Sequence, residues 1–259
     1  MPLSLLKNLS IVLVRPRFPE NIGASARAAL NMGVGEIRVV QPENFDLIRI
    51  HKMATHEAAS FITDSSVYPD LKSALAPFQY VIGTTARLGG ERKKILYPSI
   101  VVQKIMGLLP ENNTALVFGS EDRGLENTEI RLCHELVHIP TAEFSSLNLA
   151  QAVMIMCYEC FKAIHEKTPV SAFIPRLASH AELEGLHNDL VPLLTKSHYI
   201  NPENPEFWMV KVRNFINRME LKAIEVNILR GICRQINWYA KKQYEVGKSE
   251  ALSSLKESS

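Results

Sequence analysis

Short apolar runs alternate with longer alanine-rich or amphipathic stretches along the N-terminal part of the chain. Five of these runs are rich in β-branched or other apolar residues and predict buried strands at 11–14, 37–40, 80–83, 115–118 and 136–139. The stretches between the runs are long enough to form helices. Strands that are apolar throughout and alternate with helices indicate an α/β fold, with a parallel sheet covered on both faces.

Capping residues place the helices between these strands. Asn21 predicts the N-cap of the first helix, and Gly33 lies where its C-cap belongs. The stretch 45–76 is mostly helical in pattern, with a new helix starting at Pro69-Asp70, and Pro98 suits the first turn of another helix. Further helices are predicted at 126–132 and 147–167.

The composition changes after Thr168-Pro169, where strand-like runs end. We therefore predict a sheet domain at 1–168 and a small helical C-terminal extension at 169–259. A long helical pattern covers 205–244, and the Ser/Lys/Glu-rich tail from residue 247 is expected to be disordered.

The helical pattern of the extension carries an excess of basic residues. Lys211, Arg218 and Lys222 recur at intervals of seven and four residues, which predicts that they share one helix face. That face is predicted to lie opposite an apolar set, Phe215, Ile216 and Met219. It is either the solvated face of a packing helix or a phosphate-binding surface, and the segment alone leaves both interpretations open.

Composition bounds the class of protein. The chain has 259 residues, of which 46% are hydrophobic and 22% charged, as in ordinary globular proteins. The formal charge of +2 is too small to imply nucleic acid by itself. Four cysteines without regular spacing make no disulfide framework, and the N-terminal apolar run is a poor secretory signal, so a cytoplasmic protein is expected. Cys157 and Cys160 form a C-x-x-C inside an apolar helical run, and we interpret them as buried hydrophobes rather than ligands.

The segment His134-Glu135-Leu136-Val137-His138 matches the zinc-protease pattern H-E-x-x-H. On a helix the two histidines would lie about 6 Å apart and could bind one ion. Here the residues have the pattern of a strand that ends at Pro140, and in a strand the histidines would be about 13 Å apart. The nearest third ligand, Glu159, belongs to the apolar helix. We therefore expect no metal, and interpret both histidines as strand-edge residues.

Small and polar loops follow the predicted strands at 21–27, at 83–87 and at two places within 115–152. In an open α/β sheet, ligands bind outside the carboxyl ends of the strands, so we expect these loops to line one pocket. Gly33-Val34-Gly35 precedes a strand instead of following one, which argues against a Rossmann dinucleotide site. Neither a G-x-S-x-G hydrolase elbow nor a P-loop lysine motif occurs.

The same loops carry motifs that resemble a known family. Residues 21–27 (NIGASAR), 118–125 (FGSEDRGL) and 139–150 (IPTAEFSSLNLA) are similar in order and spacing to the three motifs of SpoU/TrmH-type (SPOUT) RNA 2′-O-ribose methyltransferases. The 83–87 loop (GTTAR) and residues 227–231 (NILRG) resemble the TrmJ branch of that family, which acts on tRNA. The resemblance therefore covers nearly the whole chain.

This resemblance implies a parallel-sheet α/β domain with a deep trefoil knot, a homodimer, and S-adenosyl-L-methionine as the cofactor. It implies 2′-O-methylation of a tRNA ribose at nucleotide 32 of the anticodon loop, a cytidine or uridine. The cofactor-binding residues that it implies are Thr84, Thr85, Ala86, Gly119, Ile139, Ser145, Ser146 and Leu147. Gly119 is expected to let the backbone approach the ligand closely. Taken singly, these residues have local explanations, such as turn glycines and helix caps, but the ordered set favours a site.

The resemblance assigns catalytic roles to Arg27, Asn21, Ser146 and Asn148. Arg27 is expected near the target nucleotide, supplied either by the same subunit or by the partner subunit. Because a guanidinium stays protonated, Arg27 is expected to bind phosphate or to polarise the hydroxyl, not to act as a base. Asn21 is expected to order the Arg27 loop as well as to cap a helix. Glu121 is expected to orient the loops or to complement positive charge, with a solvated loop acid as the alternative.

The expected RNA contacts are Arg27, Arg87, Arg92, Lys93, Lys211, Arg218 and Lys222. Two alternatives to tRNA methylation at nucleotide 32 remain open from the sequence. One is methylation of rRNA or of another tRNA site, and the other is an RNA-binding knot protein without catalysis. The presence of both Asn21 and Arg27 argues against the second. No membrane partner is expected.

Overall fold

The computed structural model describes residues 3–63, 66–86, 95–143, 146–166 and 173–257. The chain divides into two compact units, residues 1–180 and 181–259, and each is described by itself. The sequence-based boundary at residue 168 lies outside the described ranges, so it stays a prediction.

In the described residues, seven strands form one sheet in which every pairing is parallel. The strands are β1 (Leu9–Val14), β2 (Glu36–Val40), β3 (Val67–Tyr68), β4 (Tyr80–Thr84), β5 (Ile95–Leu96), β6 (Thr114–Phe118) and β7 (Glu135–Val137). Their order is β3-β2-β1-β6-β4-β7-β5. The late strand β7 lies between β4 and β5, which both precede it in the sequence, and this order agrees with the knotted α/β fold that the resemblance implies.

All five strands predicted from the apolar runs are present, and the predicted parallel α/β fold is confirmed. The two edge strands β3 and β5 were missed because each has only two residues and no apolar run around it. The predicted strand 136–139 is shorter than expected. Its last residues, His138 and Ile139, lie beyond Val137 and form the start of a loop.

The helices of the first unit are α1 (Pro19–Asn31), α2 (Leu47–Met53), α3 (His56–Ala59), α4 (Leu71–Leu75), α5 (Pro98–Leu108), α6 (Asn127–Ile130) and α7 (Leu149–His165), with a 3-10 helix at Leu3–Asn8. Asn21 was predicted to be the N-cap of α1, and this prediction is wrong. The helix begins three residues earlier than predicted, at Pro19, and Phe18 is the N-cap, because proline at the first position needs no backbone N–H partner. Gly33 follows the C-cap with φ +74°, as expected of a helix-terminating glycine.

Helices cover both faces of the sheet. Alternate residues of β1 point to opposite faces, so Ile11 and Leu13 join one core cluster with α1, α5 and α7. Val12 and Val14 join the second cluster, with α4 and α6. Every residue of β1 is buried, which explains why five of its six residues are apolar instead of alternating with polar ones.

Cys157 and Cys160 lie fully buried in α7, within the first core cluster. Burial raises the pKa of Cys157 to about 12 and raises that of Cys160 well above its ordinary value. A thiol in such surroundings stays protonated and behaves as a small hydrophobe. The predicted packing role of this C-x-x-C is confirmed.

The second unit contains α8 (His180–Lys196), α9 (Pro205–Arg218) and α10 (Ala223–Glu257). Arg213 of α9 pairs with Glu184 of α8, and Arg230 of α10 bonds Asp189 of α8 over 2.7 Å. The helical extension is confirmed, but two details of its prediction are wrong. The helical pattern breaks at residues 219–222, where Glu220 has φ +48°, so Lys222 is not on the helix of Lys211 and Arg218. The tail is also helical as far as Glu257.

None of the helices formed by the described residues combines the length and the apolar character needed to cross a lipid bilayer.

Candidate active site

A cavity of about 300 Å³ lies at the carboxyl ends of β4, β6 and β7. Its lining includes Thr84, Thr85, Ala86, Gly119, Ile139, Ser146 and Leu147, which are seven of the eight predicted cofactor residues. The eighth, Ser145, lies outside the described residues. Loops that are far apart in the sequence thus converge at the carboxyl ends of the strands, where open α/β sheets bind their ligands.

The loop after β6, residues 119–125, folds back on itself. The Gly124 N–H donates to the Ser120 carbonyl over 2.8 Å, and Gly124 has φ +68°. A Cβ atom at Gly119 would lie 2.0 Å from the carbonyl carbon of Gly124. The reason expected for Gly119 is close approach of the ligand. The structure gives another reason, because the returning strand of the loop itself leaves no room for a side chain.

The floor of the cavity is tied together by hydrogen bonds between strand ends. The Thr84 hydroxyl donates to the Val117 carbonyl over 3.1 Å, and the Thr85 N–H donates to the Val137 carbonyl over 2.9 Å. Nδ1 of His138 lies 3.1 Å from the Thr85 carbonyl. These bonds fix the 84–86 backbone against both neighbouring strands, so the cavity is largely preformed.

The two histidines of the H-E-x-x-H segment contact β4 and the loop that follows it. The segment forms β7 and the loop after it, as predicted. His134 stacks on Tyr80 with ring centroids 4.6 Å apart, and its Nδ1 accepts the Val81 N–H over 3.0 Å. In the described ranges no group of three or more His, Cys, Asp or Glu side chains is arranged to hold a metal ion.

A chain of side-chain hydrogen bonds joins the three family-like motifs. Nδ2 of Asn21 donates to Oε1 of Glu121 over 2.6 Å, and Nδ2 of Asn148 donates to Oδ1 of Asn21 over 3.0 Å. Oε2 of Glu121 accepts the backbone N–H of Arg17 over 3.0 Å. Asn148 is itself fixed, because it is the N-cap of α7 in a capping box with Gln151. Thus Glu121 orients the loops, and the helix cap is Asn148 instead of the serines before it.

Acidic and basic groups alternate around the mouth of the cavity. Asp122 accepts the Ser120 hydroxyl over 3.0 Å, and this hydrogen bond lowers the pKa of the Asp122 carboxyl. The guanidinium of Arg17 lies 3.4 Å from Asp122, and that of Arg123 lies 3.6 Å from it. Both pairs are exposed and therefore weak, so Arg123 is free to reorient toward a ligand at small cost. No pattern in the sequence marks Arg17, because its contacts depend on how the loops fold.

The remaining predicted residues are distributed over several surfaces. Arg27 is exposed on α1 and is not among the described residues that line the cavity. It therefore lies in a helix, not in a loop that Asn21 could order. Arg87, Arg92 and Lys93 lie outside the described residues. Lys211 and Arg218 are exposed on α9, and Lys222 is exposed just before α10.

A shallow apolar surface lies between α1 and α7 on the first unit. It is lined by Ala24, Ala28, Leu147, Ala150, Gln151, Met154 and Ile155. Leu147 also lines the cavity, so this surface and the cavity are adjacent. Small side chains on two neighbouring helices allow close approach of another surface.

Comparison with known proteins agrees with this geometry. The model of the SpoU rRNA Methylase family matches residues 8–158, and that of the tRNA methyltransferase TrmJ C-terminal domain matches residues 181–246. A tRNA (cytidine/uridine/adenosine-2′-O-)-methyltransferase TrmJ of Pseudomonas aeruginosa is 34% identical over 241 residues, which cover 88% of this chain and 93% of that protein. The crystal structure of TrmJ from Z. mobilis ZM4 is 30% identical and has a TM-score of 0.75, covering 88% of this chain and 98% of that one.

Proposed function

The chain belongs to the SpoU rRNA Methylase family, and from that premise we propose that it is an S-adenosylmethionine-dependent tRNA ribose 2′-O-methyltransferase. The observation that carries the proposal is the convergence of the loops after β4, β6 and β7 on one cavity, with the start of α1 tied to it through Asn21, Glu121 and Asn148. Its relatives from Pseudomonas aeruginosa and Sodalis glossinidius are named as tRNA 2′-O-methyltransferases, and both align over about nine-tenths of this chain.

The cavity suits the proposed cofactor in size and in chemistry. Its volume of about 300 Å³ lies at the lower end of the range for small-molecule sites, roughly 300–1,000 Å³. Small residues such as Ala86 and Gly119 expose their backbone, while Ile139 and Leu147 offer apolar walls for an adenine ring. The carboxylates of Glu121 and Asp122 at the mouth complement a cationic ligand. When bound, S-adenosylmethionine supplies a methyl group activated by its sulfonium sulfur.

The chain itself contributes positioning and charge. Bonds from Asn21 and the Arg17 N–H hold Glu121 in place, and Asn148 fixes the far side of Asn21, so the mouth of the cavity is preorganised. Preorganisation of this kind holds an acceptor hydroxyl in line with its methyl donor, which removes much of the entropic barrier. Ser146 contributes as a positioning group in the lining of the cavity, and Asn148 contributes through its hydrogen bond to Asn21.

We assign Arg27 to the target nucleotide, with a second copy of the chain as its source. It is exposed and lies beside the apolar surface between α1 and α7, next to Ala24 and Ala28. If that surface is the homodimer interface, each Arg27 is carried toward the cavity of the other copy. There the guanidinium binds phosphate or polarises the ribose hydroxyl, while another group accepts the proton.

The proposed target is tRNA nucleotide 32, the cytidine or uridine that opens the anticodon loop. Support comes from the family branch and from the cytidine/uridine names of several relatives. Lys211, Arg218 and Lys222, all exposed in the second unit, are the proposed phosphate contacts, as are Arg87, Arg92 and Lys93 of the first. Phosphate contacts supply affinity more than sequence choice. A cytoplasmic location is proposed from the free cysteines at positions 133, 157, 160 and 233.

The test is transfer of label from methyl-labelled S-adenosylmethionine to unmodified tRNA and, separately, to rRNA, followed by mapping of the 2′-O-methyl position. Arg27→Ala is expected to remove transfer and to leave cofactor binding intact, whereas the surface variant Arg49→Ala is a matched control. Label in rRNA alone would replace the substrate assignment. Cofactor binding without transfer to either RNA would indicate a non-catalytic RNA-binding protein.

A further inference from the structure

Helix α9 presents aromatic and basic side chains on the same exposed face. Phe207, Lys211, Phe215 and Arg218 are spaced at four, four and three residues, which places them on one side of a helix. Phe207 is 64% exposed and Phe215 is 56% exposed, and both cations are exposed as well. We call these four residues, together with Trp208, the aromatic–basic face.

This arrangement corrects the interpretation made from the sequence, which placed Phe215 opposite the cations. Phe215 follows Lys211 by four residues, and this spacing puts the two on the same face. The opposite face of α9 is the one that packs, because Met209 and Ile216 are buried there. The aromatic rings are therefore not needed for the core of the second unit.

The composition of the face indicates the class of partner. Trp208 is 42% exposed and meets Phe207 edge to face, with centroids 5.9 Å apart, so this contact covers one face of only one of the two rings. Lys211 lies between Phe207 and Phe215 in the sequence spacing, and no carboxylate occurs on this face among the described side chains of α9. Rings interleaved with cations match bases interleaved with phosphates, and such surfaces bind unpaired nucleic acid.

We propose that the aromatic–basic face of α9 binds unpaired RNA nucleotides, with its rings stacking on bases and Lys211 and Arg218 contacting the phosphates between them. This inference rests on the proposed function for the identity of the RNA, and goes beyond phosphate contact by assigning a preference for single-stranded segments. Stacking needs an open base face, so paired RNA of equal charge is bound more weakly.

The test compares an RNA hairpin that carries an unpaired loop with a fully paired duplex of the same number of phosphates. Phe215→Ala is expected to weaken hairpin binding by about fivefold to tenfold and to leave duplex binding unchanged, because base stacking is lost while charge is kept. Phe215→Tyr is expected to restore hairpin binding. Lys211→Ala is expected to weaken both RNAs and to reduce the slope of log affinity against log salt by about 1.

Trp208 provides a direct optical readout. The sequence contains two tryptophans, so Trp238→Phe leaves Trp208 as the single reporter. Its fluorescence is expected to be quenched by the hairpin and not by the duplex. Ile48→Ala is the control, because Ile48 is an exposed apolar side chain on α2.

Two results would overturn the proposal. One is equal loss of hairpin and duplex binding in Phe215→Ala, or no loss at all. The other is a change in the molecular mass of the protein in solution on Phe215→Ala, which would make the face a protein interface. Methyl transfer to tRNA is measured on the unaltered protein in parallel, so failure of this inference and failure of the proposed function are separate outcomes.

Discussion

Nδ2 of Asn21 lies 2.6 Å from Oε1 of Glu121, although the two residues are a hundred positions apart in the sequence. A hydrogen bond to a carboxylate is stronger than one between neutral groups. The same carboxylate also accepts the Arg17 N–H, so it ties the start of α1 to the loop after β6. The geometry of the cavity mouth therefore depends on an acidic residue for which the sequence alone leaves several roles open.

Replacement of Glu121 tests this dependence. In Glu121→Gln one of the two oxygen acceptors becomes an amide donor, so it cannot accept both from Asn21 and from the Arg17 N–H. We expect the free energy of unfolding to fall by about 1.5–3 kcal/mol, the usual contribution of a hydrogen bond to a charged group. The rate of methyl transfer in single-turnover experiments is expected to fall more than cofactor affinity does.

Glu43→Gln serves as the matched control, because Glu43 also pairs with Arg17 but is exposed and does not touch the cavity. If Glu121→Gln and Glu43→Gln were equally active and equally stable, the hydrogen bonds between Asn21 and Glu121 would not organise the cavity mouth.

The β-sheet could be predicted from the sequence because its central strands are buried on both sides, which makes them mostly apolar. The strands Val67–Tyr68 and Ile95–Leu96 were not predicted, because two residues are too few to show a periodic pattern. The cavity lining followed from the motifs, but the partners of Glu121 did not, since hydrogen bonds across a hundred residues depend on how the loops fold. The face of α9 was in principle readable, because Lys211 and Phe215 have helical i, i+4 spacing.

Gly119→Ala is expected to disrupt the cavity. The added Cβ would overlap backbone atoms of Gly124 and Leu125, at 2.0 Å and 2.2 Å, and backbone cannot yield as a side chain can. The loop must then open, so we expect loss of S-adenosylmethionine binding in calorimetric titration. Gly231→Ala is the control, because nothing lies within 4 Å of a Cβ there and the residue is helical. That variant should be more stable than the parent by about 0.5–1 kcal/mol. Undiminished cofactor binding by Gly119→Ala would contradict the role given to this loop.

The buried cysteines predict a dependence of stability on pH. The folded-state pKa of Cys157 is raised from 9.0 to about 12, and that of Cys160 is also raised, because burial disfavours the thiolate. A group with a raised folded pKa contributes stability that is fully present below its unfolded value and is lost as pH rises through the folded value. We expect the free energy of unfolding, measured in denaturant, to fall between pH 9 and about 12.

The double variant Cys157→Ala, Cys160→Ala should show a shallower loss over the same range of pH. At pH 8 the thiols of the folded parent protein should also resist alkylation by iodoacetamide and react only after unfolding. Rapid alkylation of either cysteine in the native state would show that α7 is not packed as the structure has it.

The assignment of Arg27 to the neighbouring copy can be tested by complementation. Arg27→Ala retains a cavity but lacks the guanidinium, whereas Gly119→Ala retains Arg27 but is expected to lose the cavity. In the proposed homodimer, each variant alone should be inactive. When the two are unfolded together, refolded and allowed to pair at random, half of the dimers are mixed.

If Arg27 acts across the interface, each mixed dimer has one complete site, and about a quarter of the parental transfer activity should return. If Arg27 acts within its own chain, no dimer has a complete site and the mixture stays inactive. Parent protein refolded in the same way fixes the reference activity, so the amount recovered decides which copy supplies the guanidinium.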